Sequence, residues 1–254
     1  MFRLTNALDQ NTIVVSAWCG ITDPHYLEGV CAHCFDTIVL DMQHGFFDEH
    51  SIQAAISTVV NSGKAPIVRV PVGRWDTASR VMDFGALGVI APMINDAQAA
   101  QSFAAAMKYV PAGERSFGPH HAAAVYAVDV AAYLDGIDAN SIALAMIETR
   151  QAYENLDAIL AVSGVDGILI GPGDLSISLR QNRHPDIYGP DSIDIVKDII
   201  GRTAGAGKKS AVFTTGPELA NSLAKIGPDI ITIGDDQCYI SNGVRPQLEG
   251  LNFR

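Results

Sequence analysis

Eight short runs of Val, Ile and Leu recur along the chain, with stretches of helix-like composition between most of them. They are "TIVVSAW" (12–18), "TIVLD" (37–41), "PIVRVP" (66–71), "LGVIAPM" (87–93), "SIALAMIE" (141–148), "DGILIGP" (166–172), "SAVFTT" (210–215) and "DIITIG" (229–234). Near-continuous apolar runs of this length suit parallel strands that are covered on both faces. The Ala-rich segments between them include 48–63 and 96–110, and each of these two opens on an Asp able to cap a helix N-terminus. Eight alternations within 254 residues fit a closed (β/α)8 TIM barrel better than an open doubly wound sheet. No Pro/Gly/Ser-rich linker or low-complexity repeat interrupts them, so residues 1–254 read as one domain. The longest irregular stretch, 110–141, carries Arg115, His120 and His121. It suits an excursion with a short helix of its own, and equally a lid or a subunit contact.

Charge narrows the function. Seventeen basic against 28 acidic residues leave a formal net charge of −11. That balance, with no basic stripe, speaks against nucleic acid as a partner. An anionic substrate needs local positive charge, from an arginine or a metal ion, to overcome the field. No apolar run reaches the ~18 residues of a membrane span, and the opening "MFRLTNALDQ" lacks a signal-peptide core. Four cysteines do not make a disulfide framework, so a reduced cytoplasmic setting is expected. "CAHC" at 31–34 has no second ligand pair and reads as thiols on or beside a helix.

In a barrel of this class the active site lies where the strands end. The polar residues there form one set: Trp18 at the end of the first run, Asp41 and His44 after the second, Arg69 in the third, Glu148 closing the fifth and Asp174 after the sixth. Glu148 and Asp174 at an apolar mouth repel unless protonated or bridged by a cation. Mg²⁺ or Mn²⁺ suits two carboxylates plus water, while a helix cap and a turn acid are the plainer roles. Gly171, Pro172 and Gly173 make a tight turn open to an anion. Arg69 within an apolar strand needs a carboxylate, from the protein or from a substrate. His44 near Asp41 is a candidate acid–base pair, although such a histidine is often merely hydrogen-bonded.

These pieces, with "SAWCGITDP", "VRVP", "MDFGALGVIAPMI", "YVPAGERSFG", "IETRQAYENLDAIL" and "GILIGPGDLSISL", together resemble the HpcH/HpaI family of metal-dependent (class II) pyruvate aldolases. The resemblance implies cleavage of a 4-hydroxy-2-oxo acid to pyruvate, or a related 2-keto acid, and an aldehyde. Its cofactor would be a divalent metal (Mg²⁺, Mn²⁺ or Co²⁺). By the same resemblance Glu148 and Asp174 are the metal ligands, Arg69 holds the keto acid, and Asp41 with His44 forms the base dyad. Asp83 is an acid supplied across a subunit boundary of a homo-oligomer, commonly a hexamer. Gln43 stands where many members carry Glu, and Met146 where many carry Gln. These departures bear on the acceptor aldehyde and on the hold on the keto acid. Specificity is expected from the loops around Trp18, 110–141 and Phe213. No lysine stands at a strand end, where a Schiff-base enzyme would need one. An oxaloacetate decarboxylase, a citrate-lyase-β-like lyase and a non-catalytic keto-acid binder are the rival readings.

Overall fold

A computed structural model describes residues 3–8 and 12–251; residues 1–2, 9–11 and 252–254 of the expected single domain lie outside the described residues. The eight runs are eight strands: β1 (Val14–Cys19), β2 (Thr37–Asp41), β3 (Ala65–Arg69), β4 (Gly88–Ala91), β5 (Ile142–Ile147), β6 (Gly167–Ile170), β7 (Lys209–Thr214) and β8 (Ile230–Ile233). All neighbours pair in parallel, and β8 returns to β1 to close the barrel. Each strand is followed by at least one helix, so the expected (β/α)8 architecture is the observed one. Every residue of β2 to β6 is buried, as strands between a packed interior and a helical layer must be.

The acids expected to cap helices do so. Asp48 accepts the amides of His50 and Ser51, and the Ser51 hydroxyl in turn accepts the Asp48 N–H at 2.9 Å, a capping box that starts the helix Glu49–Asn61. Asp96 accepts the Ala99 N–H at 2.8 Å and starts the helix Ala97–Met107. That second helix stops short of residue 110. Lys108 turns inward, where its ammonium meets Asp166 at 3.1 Å and the Asp138 carbonyl at 2.9 Å. A residue before proline, here Val110, is also disfavoured in a helix.

The 110–141 stretch is more regular than its composition suggests. It forms two helices, His120–Val125 and Val130–Asn140, the second capped by Asp129 on the Ala132 N–H. Tyr133 plugs this excursion into the helical layer, fully buried, with its hydroxyl donating to the Met82 carbonyl at 3.1 Å. The excursion therefore lies against the flank of the barrel. Replacing Tyr133 by Ala empties a large buried side chain and should lower the unfolding free energy by about 3–5 kcal/mol, which a urea titration followed by circular dichroism will measure. An unchanged midpoint would show the excursion to be loosely held.

Candidate active site

The strand register places the central pair. Asp41 and Arg69, the last residues of β2 and β3, are direct neighbours across the sheet. Arg69 donates from Nε to Asp41 Oδ1 at 2.9 Å and from Nη2 to Oδ2 at 2.5 Å, a planar fork on a planar carboxylate. Trp18 completes the group: its indole N–H donates to Asp41 Oδ2 at 3.2 Å, and the guanidinium sits 4.7 Å from the centre of its ring. Burial alone would raise the Asp41 pKa; the Arg69 hydrogen bonds and charge, with the Trp18 N–H, outweigh it and hold the acid below its ordinary value. The pair thus contributes stability above the unfolded carboxylate pKa, and loses it as pH falls through the lowered folded value. Among the described residues, Arg69 Nη1 has no protein partner, and the guanidinium lines the cavity above.

That cavity, of about 490 Å³, opens at the C-terminal ends of the strands. Trp18, Asp41, His44, Arg69, Gly171, Pro172, Gly173, Asp174 and Phe213 all line it, as the sequence leads one to expect. Glu148, the residue after β5, is only 2 % exposed; it lies behind Gly171, which lines the cavity, and does not line it itself, whereas Asp174 is exposed on it. Burial raises its pKa to about 6; the amide of Met93 works against the shift, the charge of Asp174 adds to it, and Arg69 opposes it. This sign is opposite to that of Asp41. The ionised Glu148 costs the fold stability at neutral pH, and the cost is relieved as pH falls toward 4.5.

Two local devices hold Glu148 in place. Met93 has a φ of 55°, in the left-handed region that residues with a Cβ rarely occupy, and this turns its N–H onto Glu148 Oε1 at 2.7 Å. Gly171 supplies the space: a Cβ there would stand 2.6 Å from Met146 Cε and 3.1 Å from Glu148 Oε2. The "GPGD" stretch is the start of the helix Pro172–Arg180 rather than a free turn, with Gly171 as cap and Asp174 in the first turn, where a negative charge is favoured. Among the described residues, neither Glu148 nor Asp174 has a salt-bridge partner, and no three His, Cys, Asp or Glu side chains gather as a complete metal cage. Two unneutralised carboxylates with positions left over are the donor set a hard divalent cation takes with water and substrate oxygens.

His44 and Asp83 depart from simple expectation. Asp41 accepts the main-chain N–H of His44 at 3.3 Å and that of Gln43 at 2.9 Å, so it fixes the loop and not the imidazole ring. Its two oxygens are already occupied by Arg69 and Trp18. The His44 side chain is exposed at the cavity rim. Asp83 does not line the cavity of its own chain; its Oδ1 accepts from Arg115 Nη2 at 2.7 Å, on the flank next to the 110–118 loop. No residue of 110–141 lines the cavity either.

The structure adds a wall that motif reading passed over. Asp236 accepts N–H bonds from Gly20 at 2.5 Å and Ile21 at 2.8 Å, and its other oxygen takes the Tyr26 hydroxyl at 2.7 Å. It thereby ties the loop after β1 to the loop after β8. The loop after β2 joins them at Gly45, where a Cβ would lie 2.2 Å from the Asp41 carbonyl oxygen and 2.6 Å from Gly20 Cα. Thr215, Asp235, Pro185 and Ile187 complete this side. The only signal for them was position, just beyond the seventh and eighth strands and within the long turn after the sixth.

Comparison with known proteins gives this geometry a family. A hydroxypyruvate/pyruvate aldolase from Rhizorhabdus wittichii is 30% identical over 245 residues, covering 96% of each chain. One from Agrobacterium fabrum is 32% identical over 243 residues, covering 96% of this chain and 91% of the relative. The structure of an HpcH/HpaI aldolase from Desulfitobacterium hafniense superposes with a TM-score of 0.87 at 24% identity, covering 99% of this chain and 98% of that one. The model of the HpcH/HpaI aldolase/citrate lyase family matches residues 15–242, and the chain belongs to that family.

Proposed function

We propose that this protein is a divalent-metal-dependent aldolase that reversibly cleaves a 4-hydroxy-2-oxo acid into pyruvate, or a related 2-keto acid, and an aldehyde. The observation that carries this reading is the convergence of an anchored arginine, a rim histidine and the exposed Asp174 on one cavity, with the buried, unneutralised Glu148 directly behind its Gly171 wall. The curated relatives named as hydroxypyruvate/pyruvate aldolases support it. Glu148 and Asp174 are the residues that would hold Mg²⁺, Mn²⁺ or Co²⁺, which when bound supplies a Lewis acid to the keto-acid oxygens.

The protein's own groups do the rest. Arg69, held rigid by Asp41, presents its remaining N–H donors to the oxygen on which negative charge develops as the C3–C4 bond breaks. Trp18 and Phe213, 5.2 Å apart and edge to face, close the apolar side of the site and keep water from the enolate. His44 removes the C4 hydroxyl proton during cleavage and returns it in condensation. Its exposed, unanchored ring leaves room for a second chain to orient it, the place for Asp83 in an oligomer. Ile240, Val244 and Leu248 form an exposed apolar stripe at helical spacing on the last helix, Asp236–Glu249, and support association of copies of the chain. All four cysteines are free, in keeping with a reducing cytoplasmic setting, and no described helix is long and apolar enough to cross a membrane.

Three outcomes test the reading. Arg69→Ala would strand a buried Asp41 at about 3–5 kcal/mol, so Arg69→Lys is the better variant; it keeps the charge and loses the fork. Arg69→Lys and His44→Ala should each lower kcat for cleavage by about 10²-fold, measured by coupled assay of released pyruvate. Rates near wild type in both would refute the assignment. Mn²⁺ affinity, measured by calorimetry, should be full above about pH 6 and fall as pH drops through it, because the cation displaces the Glu148 proton. Gly171→Ala should weaken Mn²⁺ binding by about 10–100-fold with little loss of secondary structure, since its Cβ displaces Glu148 and Met146.

A further inference from the structure

The charges around the cavity divide unevenly. On the keto-acid side, the charge of Arg69 is balanced by Asp41, with its remaining donors left for the keto acid, and Glu148 and Asp174 are the pair a divalent cation would balance. The other side is formed by the loops after β1, β7 and β8, with Ile21, Phe213, Thr215, Asp235 and Asp236. Here, among the described residues, two carboxylates stand without a cationic partner. Asp236 is satisfied wholly by neutral donors, two amides and a phenol. Asp235 caps the last helix through the Cys238 N–H at 2.9 Å. Pro185 and Ile187 add apolar surface from the turn after the helix Pro172–Arg180.

Among the described residues, no lysine lines the cavity, and the only basic side chains on it are Arg69 and His44. On the turn nearest the mouth, Arg180 is ion-paired to Asp186, and Arg183 does not reach the lining. A carboxylate on the far end of an aldehyde would therefore meet two like charges in a partly closed, apolar-walled space. Among the described residues of this chain, nothing there offers it a counter-charge. Neutral aldehydes have no such conflict, and hydroxyl groups on them can donate to Asp235 and Thr215.

We infer that the aldehyde half of the substrate is uncharged, and that Asp235 and Asp236 select against aldehydes carrying a second acid group. The inference rests on the aldolase reading and names the substrate class of that same site.

The test pairs two acceptors of equal chain length, butanal and succinic semialdehyde, with pyruvate and the Mn²⁺-loaded protein. Exchange of pyruvate methyl protons in heavy water, without any aldehyde, is read first and reports the aldolase chemistry alone. With exchange present, kcat/KM for butanal should exceed that for succinic semialdehyde by about tenfold or more at low ionic strength. Salt screens the repulsion, so the gap should narrow as ionic strength rises, through the anionic substrate only. Asp235→Asn keeps the helix cap and removes the charge, and it should narrow the gap several-fold at constant salt. Exchange together with equal use of both aldehydes, or a preference indifferent to salt and to Asp235→Asn, overturns the inference and leaves the aldolase reading standing. Absence of exchange overturns both.

Discussion

The mouth of this barrel depends on the fork between Arg69 and Asp41. Two charges buried at the ends of adjacent strands are costly to desolvate, and neither could stay there alone. The register of β2 against β3 places them opposite each other, so the sheet itself supplies the approach. Trp18 then covers the guanidinium and takes the remaining acceptor site of the carboxylate. The result is a rigid cation whose geometry does not wait for substrate. Preorganisation of this kind is what makes a charge useful in a transition state, because it has no reorganisation left to do.

Across the cavity the same physics is used with the opposite sign. Glu148 is as deeply buried as Asp41, yet its partners are one amide and a neighbouring acid. One carboxylate is stabilised by its surroundings and the other is strained by them. The difference separates an acid held ionised from one whose charge is left uncompensated, and it lies in the neighbours rather than in the residue type. The left-handed turn at Met93 belongs to the same side of the balance: local backbone strain is tolerated where it aims a group.

The barrel was legible because each buried strand needs a continuous apolar run, and nothing else in the chain competes with eight such runs. Helix starts at Asp48 and Asp96 were legible for the same local reason. Residues at the strand ends were readable as a set, since the topology alone gathers them. What they bond to was not. Arg69 is 28 positions from Asp41, and only the pairing of β2 with β3 decides between a protein carboxylate and a substrate one. The aspartate's preference for Arg69 over the His44 ring follows from that pairing and has no trace in the loop. Met93 was invisible because its contribution is a backbone dihedral, and Asp236 because its partners lie more than 200 residues away. The excursion at 110–141 looked irregular because its helices are short and Gly118 and Pro119 precede them.

The contact of Gly20 with Gly45, reinforced by Asp236, makes one half of the rim a single stitched unit of three loops. Among the described residues, the turn that carries Pro185 and Ile187 beside it has no comparable cross-tie to the neighbouring loops beyond the Tyr188–Thr215 hydroxyl contact. The rim therefore has a tightly stitched jamb and a more loosely tied door. Descendants of such a protein could exchange one acceptor for another by rewriting the door, in length as well as in composition. Every change at the jamb would have to pass through a gap too narrow for a single methyl group.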